Sequence, residues 1–254
     1  HPLGNAFVTL ATSFSIALLI GVVGVSAVSA ASWRLVKRNA PAITEGALGP
    51  ITCLDGNACW LTGLSAPSQS VRTLDGGRSW LLWSPPANVP PSAIAFTTVA
   101  VGVATYSPGP ANPNGGSTFY TSDGGATWTK AFDRGFGRLF SAPPSTFYGY
   151  QGNCLPDCAA VGTYRSDDGG TSWVKWSDGA LSDSTQLLTT EVMWSAEGRP
   201  RVSEDGGRSL QYPAFSLGND GSLFYAINFV DREHGWVASS NGPTYLGATS
   251  DGGK

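Results

Sequence analysis

Five aspartates of this sequence sit in nearly the same company. Asp75, Asp123, Asp168, Asp205 and Asp251 each follow a Ser or Thr two places back. Each also precedes two glycines: Gly76 and Gly77, Gly124 and Gly125, Gly169 and Gly170, Gly206 and Gly207, Gly252 and Gly253. In the first four copies a second Ser or Thr stands four places on, and three copies close with Trp80, Trp128 and Trp173. The fourth ends in Leu210, and the fifth stops at Lys254. A carboxylate among hydroxyls is raw material for general acid–base chemistry. It is also the raw material of a reinforced turn: Asp and Ser/Thr side chains bond nearby backbone groups, and paired glycines accept φ > 0 at no steric cost. The turn reading accounts for every position, and the spaced oxygen ligands of a calcium loop are absent.

Other chemistry is sparse. Histidine occurs only as His1 and His234, His234 beside Gly235-Trp236 reads as a turn or packing residue, and no Ser-His-Asp arrangement or His-rich metal site appears. No phosphate loop or dinucleotide fingerprint is present. The four cysteines form two close pairs, Cys53 with Cys59 and Cys154 with Cys158. Local pairing of this kind fits disulfides formed in an oxidising compartment. The alternative, one zinc bound by all four thiolates, fits the spacing less well. The reading therefore holds no cofactor, metal or catalytic residue. It assigns the Asp-Gly-Gly residues and their tryptophans a structural role and the cysteines a disulfide role.

The elements that carry these residues follow from their spacing. The central aspartates lie 48, 45, 37 and 46 residues apart, a period at which each repeat is one supersecondary unit. Between copies run short apolar stretches such as Cys59-Trp60-Leu61-Thr62 and Val101-Gly102-Val103-Ala104, separated by Gly- and Pro-rich turns. With 33 glycines, 17 prolines and only 13% charged residues, many short strands are expected rather than a helical bundle.

The octet [Ser/Thr]-x-Asp-Gly-Gly-x-[Ser/Thr]-Trp resembles the Asp-box, or BNR repeat, of the sialidase-like β-propeller superfamily. The resemblance covers the chain from about residue 49 to its end. Phe229-x-Asp231-x-x-His234-Gly235-Trp236-Val237-Ala238 is similar to the first blade hairpin of photosystem II assembly factor-like and related YVTN/BNR-like propellers. The resemblance implies an all-β fold of four-stranded blades, with each box in the turn between strands three and four, away from the ligand face. Four blades and part of a fifth are expected, since the sequence opens without Met and breaks off within its last box. The long connections at 84–91, 107–116, 151–157 and 178–184 then share the ligand face.

The same superfamily holds enzymes and binding proteins, so the resemblance leaves function open. A sialidase-like site would need three arginines gripping a carboxylate. Arg72, Arg78, Arg165 and Arg208 flank or lie in boxes, which leaves Arg138, Arg199 and Arg201 for a central face. A glycosidase would need two carboxylates across a cleft, and Asp157, Asp178, Asp183 and Glu197 are the candidates.

The N-terminal region is distinct. No charge occurs from Pro2 to Trp33, and 6–28 is long enough for one crossing of about 20 residues. Val28-Ser29-Ala30 equally suits a signal-peptide cleavage site. The basic residues Arg34, Lys37 and Arg38 follow the span and favour a cytoplasmic C-terminus, whereas the cysteine pairs favour export. The division expected is 1–38 signal peptide or hydrophobic anchor helix, 39–48 linker and 49–254 propeller. Past residue 40 the chain has 12 basic and 18 acidic residues, since three of the 15 basic residues lie before it. A net charge of −6 is a poor match for nucleic acid. The expectation is an extracytoplasmic, non-enzymatic scaffold that meets a protein or glycan on its loop face and the membrane through its N-terminal segment. The alternative is an extracellular glycoside hydrolase.

Overall fold

The computed structural model describes residues 48–63, 70–87, 89–107, 116–152, 161–179, 181, 184–196, 199–213, 224–239 and 246–253. The N-terminal span, Cys154, Cys158, Asp157, Asp183 and Glu197 lie outside them. No helix among the described residues is long and apolar enough to cross a membrane.

The described residues form five antiparallel sheets, each built from strands consecutive in the chain. Blade one pairs β1 (Leu48–Cys53), β2 (Cys59–Gly63), β3 (Val71–Thr73) and β4 (Leu81–Leu82) in that order. Blade two repeats the order with β5 (Ala93–Phe96), β6 (Gly102–Tyr106), β7 (Ser117–Thr121) and β8 (Thr129–Phe132). Blade three has β9 (Arg138–Ala142), β10 (Thr146–Gln151), β11 (Gly162–Ser166) and β12 (Val174–Ser177). Blade four holds β13 (Thr185–Leu187), β14 (Met193–Ser195) and β15 (Arg201–Ser203), with one bridge from Val202 to Gln211 where a fourth strand runs in the first three blades. Blade five holds β16 (Phe224–Phe229), β17 (Gly235–Ser239) and β18 (Leu246–Thr249).

The first strands stand side by side: β5 beside β1 and β9, and β13 beside β9 and β16. Each blade thus runs outward from a shared centre. Strand alternation sends one row of side chains toward the next blade and the other toward the previous one. Burial tracks this position, since β6 and nearly all of β10 are covered while β4 and the start of β12 are exposed.

The core lies between sheets. Trp60 and Trp83 of blade one pack on Ile94, Phe96 and Ala104 of blade two. Ala95 and Val103 meet Phe136, Phe147, Tyr164 and Trp173 at the next seam. Tyr148 meets Met193 between blades three and four, and Ala196 meets Phe224 and Val237 between four and five. Two seams carry parallel ring stacks, Trp60 on Phe96 at 3.8 Å and Trp194 on Phe229 at 4.0 Å. Aromatic residues supply large apolar area, which is why so few short strands can hold a core.

Candidate functional site

The boxes are built alike. In the first, Asp75 Oδ1 accepts from Thr73 Oγ1 at 2.9 Å and from the Ser79 amide at 2.8 Å, while Oδ2 accepts from Ser79 Oγ at 2.6 Å. Thr73 Oγ1 in turn accepts from the Gly77 amide at 2.8 Å. Asp123 does the same with Thr121 and Thr127, Asp168 with Ser166 and Ser172, and Asp205 with Ser203 and Ser209. At the fifth box Asp251 accepts from Thr249 Oγ1 at 2.8 Å. Both glycines of every box have φ between 70° and 90°, the left-handed region that side chains with a Cβ rarely adopt.

These bonds hold Asp75, Asp123, Asp168 and Asp205 ionised. The Ser79 hydroxyl and amide pull Asp75 down to about 2. The Thr127 hydroxyl and amide likewise hold the Asp123 carboxyl well below the usual carboxylate range. Partial burial works against ionisation at Asp168 and Asp205, but the hydroxyl and amide donors outweigh it, and Asp205 lies at about 2. A carboxylate so deprotonated has no proton to give at neutral pH, and its oxygens already accept several donors. In this arrangement it is a joint.

The joints reach further than their own turn. The amide of each first glycine donates to a carbonyl in the turn between strands one and two of its blade: Gly76 to Asn57, Gly124 to Ala100, Gly169 to Ser145, Gly206 to Glu191 and Gly252 to Glu233. Two first-glycine carbonyls also accept from the preceding blade, Gly124 from Arg72 Nη1 and Gly206 from Trp176 Nε1. Turn chemistry at single-chain range gave no sign of these contacts, because the donors lie 52 and 30 residues away. Arg72 is thereby a blade-to-blade tie. Arg165 is bound to Asp167 at 2.8 Å and lies over the Trp176 ring, which Arg208 covers at 3.7 Å. Arg78 bonds the Asp75 carbonyl within its own box.

The remaining candidates divide by face. Arg138 opens β9 and Arg201 opens β15, at the strand ends opposite the boxes, and Arg199 is exposed just before β15. Asp178 is exposed and paired with Lys175 at 2.6 Å. His234 bonds Asp231 at 3.0 Å in the β16–β17 turn, on the box face. Cys53 and Cys59 form a disulfide across β1 and β2. Among the described residues no group of three or more His, Cys, Asp or Glu could hold a metal. A cavity of about 350 Å³, lined by Ser141, Ala142, Pro143 and Leu187 to Thr190, lies between the box-face turns of blades three and four.

No family model matches the chain, and no curated protein is similar to it in sequence. Solved structures are similar in fold. YCF48 from Cyanidioschyzon merolae is 14% identical with a TM-score of 0.53, over 82% of this chain and 70% of its own. YCF48 bound to a D1 peptide is 18% identical with a TM-score of 0.53, over 80% and 63%. A GH74 enzyme from Niastella koreensis is 15% identical with a TM-score of 0.56, over 83% of this chain but 31% of the enzyme. One of these structures holds a peptide and another is an enzyme, so the shared element is the scaffold. In fold, this chain is a series of blades of the Asp-box β-propeller type.

Proposed function

We propose that this protein is a non-enzymatic propeller scaffold that binds a polypeptide on the face opposite its boxes. The observation that carries the reading is the difference between the two faces. On the box face, the turn between strands one and two is stitched to the box in all five blades by the first-glycine amide. From the other strand ends leave the longer connections at 83–92, 107–116 and 178–184. Variable loops on a rigid scaffold are the usual place for recognition. The propeller holding a D1 peptide supports a polypeptide as the ligand.

A second reading keeps an active site. The fold likeness to a GH74 enzyme favours it, with Asp157, Asp178, Asp183 and Glu197 as the acids. One experiment separates the two. The immobilised protein is exposed to a peptide library and, in parallel, assayed for reducing ends released from xyloglucan and for sialic acid released from sialosides. Saturable peptide binding without turnover is the expected result. Turnover that disappears in Asp178→Asn or Asp157→Asn would establish the hydrolase instead.

We further propose export, with the uncharged 2–33 segment either cleaved or kept as an anchor. The Cys53–Cys59 disulfide supports an oxidising compartment.

A further inference from the structure

The second strand of each blade ends on the face opposite the boxes, and the strand registers align those ends in blades two and three. Gly102 and Phe147 pair with the box residues Thr121 and Ser166, so Tyr106 and Gln151, each four places on, hold one equivalent place. Tyr106 closes β6 and pairs with Ser117, while Gln151 closes β10 and pairs with Gly162. Both side chains are buried, at 8% and 4% exposure.

A buried polar atom needs a hydrogen-bond partner. Tyr106 has one: its hydroxyl accepts the Ala87 amide at 3.1 Å, from the connection 83–92 that leads into blade two. The connection that leads into blade three, 133–137, is half as long. At the equivalent place Gln151 Oε1 is buried with no hydrogen-bond partner among the described residues.

Gln186 shows what the same side chain does in this molecule when it has a partner. Its Oε1 accepts the Phe229 amide and its Nε2 donates to the Phe229 carbonyl, so one carboxamide holds both backbone groups of one residue. Beside Gln151 the surface is open to such a backbone. Gly137 is exposed and donates its amide to the Tyr150 carbonyl at 3.0 Å. Its φ is not positive, and a Cβ there would meet only that carbonyl oxygen, 4.0 Å away. Neither backbone conformation nor crowding within the molecule calls for glycine here, whereas close approach of another backbone does.

We propose that the Gln151 carboxamide is a peptide-bond anchor for an extended polypeptide bound on the face opposite the boxes. Its Oε1 accepts a ligand N–H, its Nε2 donates to a ligand carbonyl, and the ligand main chain crosses Gly137. The anchor rests on the proposal that this protein binds a polypeptide, and adds to it a contact that recognises main chain rather than side chains. A backbone amide is also what Tyr106 accepts at the equivalent place, from Ala87 of the protein itself.

The test uses the tightest-binding peptide selected from the library, with analogues each N-methylated at one backbone position. Gln151→Leu removes both polar groups at similar size. Loss of an unpartnered buried oxygen should leave the melting temperature equal or higher. The same variant should bind the peptide about tenfold more weakly, the scale of one or two lost hydrogen bonds. One N-methylated analogue should lose affinity for the wild type by that factor, yet bind Gln151→Leu as well as the parent peptide does. Gly137→Val should weaken the peptide while the melting temperature holds. Equal affinity of the wild type and Gln151→Leu overturns the anchor and leaves the scaffold reading standing. A Gln151→Leu protein that melts lower overturns it too, because the side chain then serves the fold. A library without a binder overturns both.

Discussion

At Asp168 one carboxylate accepts from Ser166 Oγ, the Ser172 amide and Ser172 Oγ, at 2.6 to 3.0 Å. Removing it strands these donors beside a turn whose glycines are already held at positive φ. Asp168→Ala is expected to lower stability by about 2 kcal/mol, the scale of a few lost bonds partly replaced by water. Chemical denaturation of the folded variant measures it, and unchanged stability would show the box to be dispensable. The same bonds set a pH dependence. A carboxylate whose pKa is lower folded than unfolded contributes stability above its unfolded value, near 4, and loses it as pH falls through the folded value. With Asp75 and Asp205 at about 2, melting temperature should fall between about pH 4 and pH 2. Asp205→Asn should flatten that slope in part, and a slope unchanged by the substitution assigns the effect to other groups.

Among the elements, the hairpin of β1 and β2 stands apart because a disulfide closes it. Cross-linking residues six apart removes freedom mainly from the unfolded chain, worth about 2 kcal/mol for so short a loop. Cys53→Ser with Cys59→Ser should lower stability by that order, and a reductant should lower the wild type by more than it lowers the variant, which keeps only Cys154 and Cys158. The second pair, Cys154 and Cys158, is proposed as a matching staple within the 151–161 connection. A non-reduced digest analysed by mass spectrometry should contain both local cross-links. A free thiol at Cys154 in exported protein would refute the second.

For the molecule as a whole, the opposing signals around the N-terminal segment make compartment a matter for experiment. A reporter active only outside the cytoplasm, fused after blade four of a protein with its complete native N-terminus, should be active. An inactive reporter on stable fusion protein would place the blades in the cytoplasm and leave the disulfide between Cys53 and Cys59 without a reason.

The boxes were legible in the amino-acid sequence because their bonds span two to four residues: the same short string must make the same turn wherever it recurs. Repetition of that turn at a regular period marked a repeat architecture, and the resemblance of the octet to the Asp-box implied the all-β propeller fold. The joints between blades were not legible. Arg72 reaches Gly124, Gln186 clamps Phe229 and Trp60 stacks on Phe96 across separations of 52, 43 and 36 residues, and no local pattern says which aromatic will face which. Likewise Gly102 and Gly235 read as ordinary strand glycines, and only the packed rings opposite them show why a Cβ is excluded. Local hydrogen bonding thus determined the turns and their number, whereas contacts between distant strands, which depend on how one sheet lies on the next, decided the seams.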